Sequence, residues 1–155
     1  IPFVVLFGIL GAIAIWLLLL KKYKSPVLDQ PWPFYAKNPL SEVEQVLYHR
    51  LVKAMPECLV LAQVQLSRIL GVKKGFNFGE WYNRINRMSV DFLVCLKDSS
   101  IVAAIELDDG SHNSFSRREA DAKKQKAFES AGITLIRWRT VSLPDEAAIR
   151  AAFTK

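Results

Sequence analysis

The chain has 155 residues, with 21 Lys and Arg against 15 Asp and Glu, a formal net charge of +6 and 51% apolar residues. That balance excludes a disordered chain, a collagen-like chain and a multi-span transporter. The apolar share is uneven: residues 1–20 carry no charge, and only Pro2, Gly8 and Gly11 fall outside the apolar set, which leaves roughly 46% in the remainder, an ordinary globular value.

The run IPFVVLFGILGAIAIWLLLL is followed at once by Lys21, Lys22, Tyr23 and Lys24. Twenty helical residues rise about 30 Å, the thickness of a bilayer's hydrocarbon core. A cleaved signal peptide would have a shorter apolar stretch ending in small residues, whereas this one ends in Leu17–Leu20. Residues 1–20 are therefore expected to be a single-pass membrane anchor. The basic cluster behind them places the rest of the chain on the cytoplasmic side of the inner membrane. Residues 21–38 hold Pro26, Pro31 and Pro33, with Pro39 just beyond, and read as an extended, semi-rigid linker. Residues 39–155 are long enough to bury a core of their own. Cys58 and Cys95 form no CxxC pair and read as small core residues of a reducing compartment, not zinc ligands.

In chain order, Ser41 and Glu44 fit a capping box. Val43, Val46, Leu47, Leu51 and Ala54 then give a helical stripe. Residues 59–66 read as a strand with Val60, Ala62, Val64 and Leu66 on one face, and Gln63 and Gln65 on the other. Residues 67–88 are basic and irregular, with a short helix from Trp81 to Arg87. Residues 89–96 and 101–107 are two strand-like runs around Lys97-Asp98-Ser99-Ser100, which is turn chemistry. Residues 116–131 read as a charged helix burying Ala120, Ala127, Phe128 and Ala131, with Gly132 just past its end. Ile133–Trp138 is a further strand, and 144–153 a last helix with Pro144 in its first turn. Strand, helix, strand over 101–138 predicts a right-handed parallel crossover. The expected fold class is α/β, a mixed sheet flanked by helices.

The hairpin carries the chemistry. A two-residue turn at Asp98-Ser99 and a four-residue loop at 97–100 both set Asp91 opposite Glu106. Opposed Cβ atoms lie about 4.5–5.5 Å apart. Strand alternation adds Asp108 to that face, with Leu93, Cys95, Val102 and Ala104, while Phe92, Val94, Leu96, Ile101, Ala103, Ile105 and Leu107 take the other. Three carboxylates at one end of an apolar sheet repel unless a proton or a cation joins them. A hard divalent ion such as Mg²⁺ fits that need, since it takes a few carboxylate oxygens and keeps waters. Glu44 reads first as a capping residue, a role compatible with facing the sheet end.

The pattern Ser89-Val-Asp91-Phe, followed by Ala104-Ile-Glu106-Leu-Asp108-Asp109-Gly-Ser-His112, resembles the PD-(D/E)XK nuclease superfamily, in its very-short-patch-repair-endonuclease branch. Together with Leu40-Ser-Glu-Val-Glu44 and Gly132-Ile-Thr-Leu-Ile-Arg137-Trp138 it is similar to a bacterial family, domain of unknown function 2726. The resemblance spans roughly residues 39–140 and implies a restriction-endonuclease-like core. It also implies Mg²⁺ or Mn²⁺ on Asp91 and Glu106, Glu44 as the acidic residue of the first helix, and phosphodiester hydrolysis. The superfamily's lysine two positions after the second acid is absent, because Asp108 stands there. His112 is the nearest substitute as general acid or base, and Lys123 or Lys124 a displaced cation. Lys73, Lys74, Arg84, Arg87, Arg117 and Arg118 would hold a nucleic-acid backbone, with DNA favoured over RNA. The rival readings are a nucleic-acid-binding or interaction module that lacks turnover, and a membrane-surface adaptor.

Overall fold

A computed structural model describes residues 8, 11–19, 30–110 and 115–153. The chain divides into two compact units, Ile1–Lys37 and Asn38–Lys155. In the first, residues 11–19 are helical, and the rings of Trp32 and Phe34 lie 5.6 Å apart at a tilt. Among the described residues no helix is long and apolar enough to cross a membrane. Half of the expected span, residues 1–7, 9, 10 and 20, lies outside the described residues.

The second unit is a four-stranded mixed sheet flanked by helices. Its elements run α1 (Glu42–Ala54), β1 (Leu59–Gln65), α2 (Leu66–Ile69), α3 (Phe78–Ile85), β2 (Ser89–Cys95), β3 (Ile101–Asp108), α4 (Phe115–Ala131), β4 (Thr134–Arg139) and α5 (Glu146–Phe153). The strands lie in sequence order, antiparallel from β1 to β3, with β4 parallel to β3 through the α4 crossover.

Local chemistry sets the ends of these elements. Ser41 caps α1 through both arms of the expected box. Gly132 takes φ +69° after α4, where the Ile133 amide reaches back to the Phe128 carbonyl. The last helix starts later than Pro144, because Asp145 caps it with a 2.8 Å bond from the Ala148 amide. The helix expected at Trp81–Arg87 starts earlier, at Phe78, because Asn77 accepts the Glu80 amide.

Two apolar layers sandwich the sheet. On one face Leu47, Leu51, Ala54 and Met55 from α1 and its end, with Ile149 of α5, pack on Phe92, Val94 and Ile105. On the other, Leu66 and Phe128 pack on Val90, Leu93, Cys95 and Ala104. Each large side chain fully buried there contributes about 1.5–3 kcal/mol. Val43 and Val46, expected in the α1 stripe, are exposed, since they lie off the arc that Leu47, Leu51 and Ala54 turn to the sheet. On α4, Phe128 is fully buried and Ala127 half-buried while Ala120 and Ala131 are exposed, so the buried stripe is narrower than the four residues expected. Cys95 is buried and Cys58 half-buried, both are free thiols, and burial raises the pKa of each.

The hairpin turn differs from both expected loops. Leu96 N–H donates to the Ser100 carbonyl and Ser99 N–H to the Leu96 carbonyl, closing a three-residue loop with Ser99 at φ +70°. That loop alone would shift the register by one. A bulge cancels the shift: Cys95 pairs with Ile101 but Val94 with Ala103, so β3 carries Val102 as an extra residue. From Val94 onward the expected register holds, through Leu93↔Ala104 and Phe92↔Ile105. The bulge also exchanges the faces expected for Ile101 and Val102. A second irregularity sits at Gln63, which takes φ +52° in β1. Val60 and Ala62 before it pack in the first layer, while Val64 and Leu66 after it pack in the second, so the single face expected for this strand is divided.

Candidate functional site

One register step beyond Phe92↔Ile105 sets Asp91 level with Glu106 at the open end of the hairpin. Asp91 is half-buried, and its Oδ2 accepts the Leu107 amide at 2.8 Å. Burial pushes its pKa up. The Leu107 bond and Lys124 pull it down, while Glu44 pushes it further up. Asp91 therefore lies within the electrostatic reach of both Glu44 and Lys124, although the three come from β2, α1 and α4.

Glu106 lies at the centre of a cationic clasp. Lys124 Nζ of α4 bonds to its Oε1, and Arg137 Nε of β4 stands 3.6 Å from its Oε2. The Glu106 side chain is 12% exposed and that of Lys124 16%. The parallel register pairs Glu106 with Arg137 directly, which is why the β4 cation arrives there. Gln125 Oε1 in turn accepts from Arg137 Nη1 at 2.6 Å.

Glu44 has two partners. Its Oε2 accepts the Ser41 amide at 2.6 Å, and its Oε1 accepts Gln63 Nε2 at 2.7 Å. The capping role and a place at the sheet end thus coexist. The kink at Gln63 turns that side chain toward α1, and it joins the first helix to the sheet. Gln65 instead donates to the Asn86 carbonyl at 3.2 Å.

The other expected residues are dispersed. Asp108 is exposed at the end of β3, where its Oδ1 accepts the Gly110 amide at 2.9 Å in a local turn. His112 and the side chain of Arg117 lie outside the described residues. Arg118 is exposed in the first turns of α4. Lys73 and Arg84 line a groove between the segment 70–85 and α4, while Lys74 and Arg87 are exposed elsewhere on that stretch. Sequence reasoning named Lys124 only beside Lys123 as a displaced cation, and it missed Arg137 as a site residue. The parallel strand pairing was the signal that would have found Arg137.

Among the described residues no three His, Cys, Asp or Glu side chains gather as a metal-binding group. The donor chemistry still suits a hard cation. Asp91 and Glu106 offer carboxylate oxygens, and Mg²⁺ completes its shell with water. Burial that disfavours the Asp91 anion is also what a cation would offset.

A protein-family model described as "Protein of unknown function (DUF2726)" matches residues 36–155. No curated protein and no solved structure matches the chain.

Proposed function

The chain belongs to the DUF2726 family, and from that premise we propose that its second unit is a metal-dependent nuclease with a PD-(D/E)XK-like site, held at the inner membrane through residues 1–20. The observation that supports this reading is the hairpin register. It sets Asp91 beside Glu106, and the α4 helix separately brings a lysine, Lys124, to Glu106. Lys124 stands in for the lysine missing at position 108.

In this reading Asp91 and Glu106 hold Mg²⁺ or Mn²⁺, with Glu44 behind them. A bound ion would supply a more acidic water and charge stabilisation at the scissile phosphate. Water oxygen bonds to phosphorus and gives up a proton to solvent, the bond to the leaving sugar oxygen breaks, and that oxygen takes up a proton from solvent. The Leu107 amide fixes the Asp91 carboxylate, and Gln63 fixes Glu44. Lys124 Nζ orients Glu106 and places positive charge where negative charge gathers on the phosphate. The basic residues along 73–87 and on α4 hold the backbone of DNA.

The test is cleavage by the full chain in mild detergent. Plasmid, linear duplex, single-stranded DNA and RNA are incubated with Mg²⁺, Mn²⁺ or EDTA. Cutting that EDTA stops, and that Asp91→Asn and Glu106→Gln both abolish, supports the reading. Cutting that survives both substitutions, or no cutting of any substrate, refutes it. A second reading, a binding module without turnover, is favoured by the two cations that already neutralise Glu106. Salt-sensitive DNA binding with no cleavage would select it.

A further inference from the structure

The segment 70–85 and α4 enclose a groove of about 500 Å³, within the range of about 300–1,000 Å³ typical of small-ligand sites. Its described lining contains four cations, Lys73, Arg84, Lys123 and Lys126, and no carboxylate. Two aromatic side chains complete it. Phe76 and Trp81 meet edge to face with centroids 6.0 Å apart, and they are 59% and 41% exposed. The Arg84 guanidinium lies over the Trp81 ring, 4.3 Å from its centroid. Glu80 orients Arg84 by a 2.7 Å ion pair, and Glu119 orients Lys123 at 2.8 Å.

Exposed flat rings ask for a flat apolar partner, and the cations ask for a polyanion, Lys73 and Lys126 foremost because Glu80 and Glu119 already pair Arg84 and Lys123. An unpaired nucleotide supplies both in one unit. Paired bases keep their faces inside the duplex stack, so these rings are open only to a single strand. The one side-chain oxygen of the described lining is that of Ser130, whose hydroxyl donates to the Ala127 carbonyl. Lys and Arg donate to phosphate oxygens, which DNA and RNA share, so nothing in this lining singles out a 2′-hydroxyl. We propose that this groove binds a single strand of DNA, stacking an unpaired base against Trp81 and Phe76 while Lys73, Lys123 and Lys126 take the flanking phosphates. The proposal adds a substrate class to the nuclease reading through α4, which carries Lys123 to the groove and Lys124 to Glu106. Binding itself does not require cleavage.

The experiment measures fluorescence anisotropy of labelled dT12 with the full chain in detergent and EDTA, beside a blunt duplex and rU12. Trp81→Leu keeps apolar bulk and removes the π face, Trp81→Phe restores a ring, and Lys126→Ala removes one cation. Expected are at least tenfold weaker dT12 binding for Trp81→Leu with duplex binding changed less than twofold, and substantial recovery in Trp81→Phe. Lys126→Ala should lower the salt slope of dT12 binding by about one. Wild-type affinity in Trp81→Leu would overturn the proposal, because a merely apolar dock tolerates leucine. So would tighter binding of rU12 than of dT12, or no dT12 binding by the wild type. A wild type that binds dT12 through Trp81 but cuts nothing leaves the groove intact and removes the nuclease. A wild type that cuts duplex while Trp81→Leu binds dT12 normally does the reverse.

Discussion

Lys124→Met isolates the ion pair on which the site is built. The substitution keeps an unbranched chain of similar length and deletes the ammonium. Exposed ion pairs contribute about 0–1 kcal/mol, whereas removing one partner of a buried pair costs about 3–5 kcal/mol because the other charge is stranded. The Lys124 and Glu106 side chains are 16% and 12% exposed, which places this pair toward the second limit. Arg137, 3.6 Å from the other Glu106 oxygen and itself 36% exposed, retains part of the compensation. The expected cost is therefore about 2 kcal/mol. Adding Glu106→Gln to Lys124→Met should cost less than the two singles together, with a coupling of about 1–2 kcal/mol. Urea unfolding of the full chain at pH 7, followed by circular dichroism, reads all three values. Millimolar Mg²⁺ should raise the midpoint of Lys124→Met more than that of the wild type, because a Glu106 carboxylate without its ammonium attracts the cation more strongly. A Lys124→Met protein that unfolds at the wild-type midpoint, or strictly additive costs, would refute the pairing and the role given to Lys124.

Three further outcomes follow from the same geometry. Burial raises the Asp91 pKa in the folded state, so the native protein binds that proton more tightly than the unfolded chain does. This contribution to stability is complete below the ordinary carboxylate pKa and is lost as pH rises through the raised value. Asp91→Asn should therefore be more stable than wild type near pH 7, by about 0.5–2 kcal/mol, and the gap should narrow toward pH about 4; thermal melts across that range check it, and a pH-independent gap contradicts it. Gly132→Ala, at φ +69°, should cost about 1 kcal/mol through left-handed strain, read as a lower Tm. Ser41→Ala removes the hydroxyl that accepts the Glu44 amide and should cost about 1 kcal/mol in the same assay.

Much of this architecture was legible in the sequence because it rests on local rules. The Ser41/Glu44 box, Gly132 after a helix and the alternation in two apolar runs each require only near neighbours. What escaped depended on structure that alternation does not encode. The loop at Lys97–Ser99 and the extra residue Val102 are two departures that offset each other, so the alignment of Asp91 with Glu106 came out as expected by a different route. Both expected loops assumed an unbroken ladder, and the bulge broke it. The kink at Gln63 divided a strand whose alternation looks regular. The clasp around Glu106 needed the register of the expected parallel pairing of β3 with β4 and the rotation of α4. Neither is written in the hairpin that carries the acid. The basic residues of 73–87 looked like one patch, yet the fold sends Lys73 and Arg84 to an aromatic groove and leaves Lys74 and Arg87 outside it.

The most direct test of the central claim compares phosphodiester cleavage by wild type and Asp91→Asn in Mn²⁺, with the stability of each measured on the same samples. Expected is a variant that is folded more stably than the wild type at pH 7 and cuts nothing, because the half-buried carboxylate that costs stability is the one that would hold the metal. Cleavage at the wild-type rate by a well-folded Asp91→Asn protein would contradict it.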